Sequence, residues 1–124
     1  MTTPWTTKQL GTLGEQAAVE YLDGLGWQIL DRNWRCRYGE LDLIAVDNSC
    51  DTVVFVEVKT RTGDGFGGLA EAVTNDKVRR LRRLAALWLT TQDARWAGVR
   101  IDVVGVRIGR RATPEIAAHL RGTA

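Results

Sequence analysis

The sequence predicts an α/β domain of order αβββαβ, a mixed sheet flanked by helices. Three observations carry this. Apolar residues recur at helical spacing from Lys8 to Leu25; three short runs rich in β-branched and aromatic residues follow; a second helical pattern from Thr74 leads into one more such run. With 124 residues, 44% of them hydrophobic and 26% charged, the chain is long enough for one core and too short for two. The domain is expected over residues 10–110, with residues 1–9 as an N-terminal extension and 111–124 as a C-terminal tail.

The first helix places Leu10, Leu13, Gly14, Ala17, Ala18, Tyr21 and Leu25 on one side, and Gly26 stops it. Strands are expected over Trp27–Cys36, Glu40–Val46 and Val53–Arg61, divided by Tyr38-Gly39 and by Asn48-Ser49-Cys50-Asp51. The stretch Gly63–Gly68 is glycine-dense and reads as a surface loop. Thr74 or Asn75 then caps a second helix reaching about Leu89, with Val78, Leu81, Leu84, Ala85 and Trp88 inward and Lys77, Arg79, Arg80, Arg82 and Arg83 largely outward. Val99–Ile108 is the fourth strand, returned parallel to the third by a helical crossover.

Composition narrows the chemistry. Cys36 and Cys50 stand in no CxxC pattern and His119 is the sole histidine, so a Cys/His zinc site cannot be assembled and the thiols are expected to be free. The same scarcity, with no evident partner for His119 near the terminus, argues against Ser-His or Cys-His nucleophilic catalysis. Carboxylates and lysine must carry any catalysis. No apolar run approaches the roughly 20 residues of a membrane span, and Met1-Thr2-Thr3-Pro4-Trp5 lacks the features of a signal peptide, so a cytoplasmic location is expected. Trp27, Trp34, Trp88 and Trp96 read as core or partly buried packing.

The hairpin of the second and third strands concentrates charge. If Asn48–Asp51 close its loop, Asp47 pairs with Thr52 and the same register sets Asp42 directly opposite Glu57. Like charges at that separation repel and destabilise a sheet, so something must compensate. By period two, the face holding Asp42 and Glu57 also holds Ile44, Val46, Val53 and Phe55 toward the turn and Glu40, Lys59 and Arg61 toward the open end. The other face carries Leu41, Leu43, Ala45, Val54, Val56 and Val58, so both sides of the sheet are expected to be covered. A hard divalent cation is a natural compensator, because Mg²⁺ typically uses one or two carboxylates plus waters and phosphate oxygens. Lys59, on the same face, is placed to serve a metal-bound water and to offset phosphate charge, which suggests phosphodiester hydrolysis.

Gly39-Glu40-Leu41-Asp42-Leu43-Ile44 and Phe55-Val56-Glu57-Val58-Lys59-Thr60-Arg61 resemble the D…ExK core of the PD-(D/E)xK, restriction-endonuclease-like superfamily. More narrowly they resemble the YraN-like family of small bacterial proteins, predicted endonucleases distantly similar to archaeal Holliday-junction resolvases. The likeness extends through Gly14-Glu15, Asn33-Trp34-Arg35, Glu71-Ala72-Val73-Thr74 and Asp102-Val103-Val104, with Leu69 where a proline often follows Phe66-Gly67. It implies that Asp42 and Glu57 bind Mg²⁺ or Mn²⁺, that Lys59 serves the attacking water, and that Glu15 adds a carboxylate from the first helix, where helical projection sets it beside Leu22, just off the apolar stripe.

Arg61, Lys77, Arg80 and Arg83 are then candidates for contacting nucleic acid, expected to be DNA, beside such a site. Symmetric cutting of a junction needs two sites, so the likeness to resolvases also suggests a homodimer. A different class of reading remains open: a non-catalytic nucleic-acid-binding or protein-interaction module that keeps the fold.

Overall fold

The structure is a computed structural model, and it describes residues 5–63, 69, 73–109 and 113–122. Its elements are α1 (Thr7–Gly24), β1 (Gln28–Cys36), β2 (Gly39–Asp47), β3 (Thr52–Thr62), α2 (Asn75–Leu89), β4 (Gly98–Ile108) and β5 (Pro114–Leu120). One sheet of order β1-β2-β3-β4-β5 is antiparallel except between β3 and β4, which run parallel across the α2 crossover. The α/β class and the αβββαβ order match the sequence reading. The fifth strand is additional, formed by residues assigned above to a tail. Residues 64–68 of the glycine-dense loop lie outside the described residues.

Each helix is started by the chemistry available at its end. Thr6 caps α1 in a capping box, its Oγ1 accepting from the Gln9 N–H while the Gln9 side chain accepts from the Thr6 N–H. Gly26, at φ +86°, lets the chain leave the helix in a left-handed conformation. Thr74 is the cap of α2, accepting from the Lys77 N–H.

The two helices cover opposite faces of the sheet. Ala17, Ala18 and Leu22 of α1 pack on Trp27, Leu43, Ala45, Val54, Val56, Val104 and Val106. Leu81, Leu84, Ala85 and Trp88 of α2 pack on Leu41, Ile44, Val53, Phe55 and Ile101. All five residues predicted to face inward on α2 are buried. Around Trp88, Phe55 meets the ring edge-on and Trp96 stacks on it, while its indole N–H donates to Asp31.

On α1 the inward face differs from the projection: Leu22 is fully buried, whereas Leu25 is 42% exposed. The helix ends before Leu25 can turn inward, so the buried line runs through Leu22. Glu15, seven residues earlier and two turns away, shares that line. Gly14 makes the approach possible, because a Cβ there would run into the Thr60 side chain of β3. Close contact between α1 and β3 thus carries Glu15 to the sheet.

Candidate active site

Pairing of β2 with β3 follows the predicted register from Asp47↔Thr52 to Leu43↔Val56. At the next residue the side chain takes over: Asp42 Oδ2 accepts from the Val58 backbone N–H at 2.8 Å. The alternation also breaks at this point. Leu43 packs on the α1 side, as period two requires, but Leu41 packs with Leu84 on the α2 side, opposite to expectation. Where main-chain pairing gives way, a short carboxylate satisfies the backbone donor, and β2 is free to turn. The expectation that Leu41 shares a face with Leu43 is therefore corrected, and Asp42 stands where the two strands part.

The charged groups predicted from the hairpin come together here. Asp42 and Glu57 lie close enough for the charge of one to act on the other, and sharing a proton between the two carboxyls favours the protonated form of Asp42. Lys59 Nζ lies 3.9 Å from Glu57 Oε1, with both side chains about four-fifths buried, at 23% and 19% exposure. Burial above all, then the charge of Glu57, pushes the Asp42 carboxyl up to about 6, against the lowering effect of the Val58 N–H. Glu15 reaches the same cluster from α1: burial and the charge of Asp42 raise its carboxyl, opposed by Asn33 and Arg32. From the α2 side, Lys77 interacts with Lys59 and Glu57, and the Lys59 ammonium holds it below the usual lysine range. Three elements, α1, the β2–β3 hairpin and α2, therefore converge on one point.

The remaining basic candidates are more peripheral. Arg61, Arg80 and Arg83 are exposed; Arg61 lies two residues past Lys59 on β3, and the Arg83 guanidinium lies over the Tyr38 ring. Sequence reasoning missed Asn33, which sits at φ +52° and turns toward Glu15. An asparagine inside a strand pattern was the available signal, since Asn is among the residues that tolerate this conformation. It also missed the partners of His119, whose ring bonds to Tyr21 Oη and to Asp102, each at 2.8 Å. Cys36 and Cys50 are free thiols, as expected.

The donor set bears on which cation fits. Among the described residues, no group of three or more His, Cys, Asp or Glu side chains gathers with metal-binding geometry. A carboxylate pair is instead the minimal protein contribution for Mg²⁺, which retains waters and takes phosphate oxygens. Two concavities among the described residues, of about 400 and 510 Å³, lie along the C-terminal half of α2 and in the segment after it, and neither includes Asp42, Glu57 or Lys59. Among the described residues, no helix is long and apolar enough to cross a membrane.

The strain at Asp42 has a measurable sign. A carboxyl raised from 3.8 to about 6 favours the protonated form on folding, so the folded state loses stability as pH rises from about 4 to about 6. Asp42→Asn keeps an acceptor for the Val58 N–H without the charge. It is expected to raise metal-free stability at neutral pH by about 1–3 kcal/mol, with the gain vanishing below about pH 4. Urea unfolding at the two pH values measures this; a variant less stable than wild type at neutral pH contradicts it.

Comparison with known proteins places the chain. The model of the uncharacterised protein family UPF0102 matches residues 14–106. A UPF0102 protein of Mycobacterium ulcerans (strain Agy99) is 72% identical over 117 residues, covering 94% of this chain and 95% of the relative. One of Mycobacterium sp. (strain KMS) is 68% identical over 122 residues, covering 98% and 90%. Among solved structures, Pyrococcus furiosus SfsA in complex with Ca²⁺ is similar over 92% of this chain and 64% of that one, at 15% identity and a TM-score of 0.37. The chain belongs to UPF0102, the family read from its sequence as YraN-like.

Proposed function

We propose that this chain is a Mg²⁺- or Mn²⁺-dependent endonuclease of the PD-(D/E)xK type that hydrolyses phosphodiester bonds in DNA, branched DNA included. The observation that carries this reading is the Asp42–Glu57 carboxyl pair, set at the point where β2 and β3 part and flanked by Lys59. Two interacting carboxyls in a half-buried position destabilise the chain unless a proton or a cation lies between them.

In this reading Asp42 and Glu57 hold the cation, and Glu15 supports it from α1. When bound, a divalent ion neutralises phosphate charge and lowers the pKa of water. Lys59, held against Glu57, orients the attacking water and offsets charge on the phosphate. Lys77 beside it contacts a neighbouring phosphate, and Arg61, Arg80 and Arg83 extend the basic surface for the strand.

The test is cleavage of labelled four-way-junction, flap, single-stranded and duplex DNA with Mg²⁺, Mn²⁺ or EDTA, comparing wild type with Glu57→Ala purified identically. Metal-dependent cutting that Glu57→Ala abolishes is the expected result. No cutting by wild type under any condition, with binding retained, rejects the enzyme in favour of a non-catalytic binding module.

A further inference from the structure

Outside the carboxylate cluster, the two-residue turn between β1 and β2 presents an aromatic side chain in a basic setting. Tyr38 is 44% exposed. The Arg83 guanidinium lies 4.1 Å from its ring centroid and that of Arg37 lies 5.2 Å away. Gly39, at φ +140° and the first residue of β2, lies against Leu84 of α2, where a Cβ would already touch the leucine methyl at 3.4 Å. The turn is thereby seated on α2 beside Arg83, which fixes where the ring stands. Among the described residues neither Arg37 nor Arg83 forms an ion pair with an acidic side chain, so their charge is open to an outside anion.

We propose that Tyr38, with Arg37 and Arg83, is a stacking platform for an unpaired base, so that the nucleic acid engaged here carries a single-stranded segment next to the strand at Asp42 and Glu57. This deepens the nuclease reading and rests on it for the placement of the strand. The chemistry is that of single-strand binding surfaces, where an aromatic face takes a base of any sequence and nearby guanidiniums take its phosphates. Arg83 is in close stacking contact with the ring. Arg37, farther out on the same turn, is the guanidinium that an arriving base displaces toward phosphate. Tyr38 precedes Asp42 by four residues, a span of at most about 13 Å at extended spacing. That equals about four nucleotides stacked at 3.4 Å, so one strand can occupy both places. A continuous duplex offers no free base face and cannot use the ring.

The experiment is equilibrium binding in EDTA of a labelled single strand, a flap and a blunt duplex, with a 2-aminopurine base in the single strand to report stacking. Tyr38→Ala and Tyr38→Leu are expected to weaken single-strand and flap binding about tenfold or more and to lose the 2-aminopurine quench. Blunt-duplex binding changes by no more than about twofold, and Tyr38→Phe retains both signals because the aromatic face is kept. The exposed position, together with a leucine variant that still covers the turn, separates loss of the ring's π-face from loss of fold, which thermal melting checks directly. Equal weakening of single strand and duplex, wild-type binding by Tyr38→Ala, or no preference of wild type for unpaired DNA overturns the platform. Because the readout is metal-free binding, a chain that cuts nothing still tests it. Cleavage that persists without the platform leaves the nuclease reading standing.

Discussion

Lys59→Met is expected to lower metal-dependent DNA cleavage by about 10²–10⁴-fold, chiefly in kcat, with little change in KM. Methionine matches the lysine stem as far as Cε and leaves the mostly buried slot on β3 filled, so the loss isolates the ammonium. That ammonium is held 3.9 Å from Glu57 Oε1 and is about three-quarters buried, which sets it inside the carboxyl cluster rather than on the exposed basic surface. Lys77 provides the contrast. It interacts with Lys59 but stands at the start of α2, one layer farther out. Lys77→Met should raise KM, weaken binding of all DNA forms alike and reduce the salt dependence by about one phosphate contact, with kcat held within a few-fold. Single-turnover kinetics on the best substrate separates the two lysines. A Lys59→Met protein with wild-type kcat removes Lys59 from the chemistry, whatever its KM.

The site was legible to the degree that its residues lie close in sequence. A four-residue loop and the period of two set the β2–β3 register without knowledge of anything distant, and that register, followed as far as Leu43↔Val56, leaves Asp42 beside Glu57, which in turn holds Lys59. It failed one residue beyond the paired region. Nothing local signals that Asp42 will accept the Val58 N–H, and this exchange is what moves Leu41 to the α2 face. Glu15 shows the same limit on a helix. Its placement depends on whether Leu22 or Leu25 is buried, and tertiary packing decides that, through the close approach of Gly14 to Thr60. The fifth strand was missed for two reasons. Pro114 opens a run of only seven residues, and edge strands tolerate proline and show weak alternation. Its side-chain anchoring beyond the pairing with β4 is also long-range, through Asp102, His119 and Tyr21.

That anchoring gives the largest expected effect on stability. Asp102 of β4 is fully buried. It accepts from Arg100 Nε at 2.8 Å and Nη2 at 3.1 Å, from the His119 ring at 2.8 Å and from the Gly122 backbone N–H at 3.0 Å. Burial alone would raise its carboxyl, but the bonds from His119, Arg100 and Gly122 outweigh it and hold the group below the usual carboxylate range. Asp102→Asn keeps the shape while losing the charge and half of the acceptor capacity, and it turns an N–H₂ toward donors. Arg100 loses its carboxylate partner in a half-buried position. The expected cost at neutral pH is about 3–5 kcal/mol, since removing one member of a buried charged pair leaves the other uncompensated. In a domain of this size that corresponds to a fall in Tm on the order of 10–20 °C.

The pH dependence runs opposite to that of Asp42. Because the folded-state carboxyl is depressed, its stabilisation is present above the ordinary value of 3.8 and is lost as pH falls through the lower folded value. Wild type and Asp102→Asn should therefore converge in acid, whereas wild type and Asp42→Asn diverge as pH rises from about 4 to about 6. A gap between wild type and Asp102→Asn of less than about 1 kcal/mol at neutral pH, or one that persists undiminished in acid, rules out the charged network as the anchor of β5. The consequence for the site is selective. His119 joins β5 to Tyr21 of α1, and α1 carries Glu15, while Asp42, Glu57 and Lys59 lie on the hairpin. Loosening β5 therefore acts on the carboxylate from the helix first and leaves the other three in register, so folded Asp102→Asn protein well below its Tm should retain cleavage that Lys59→Met has lost.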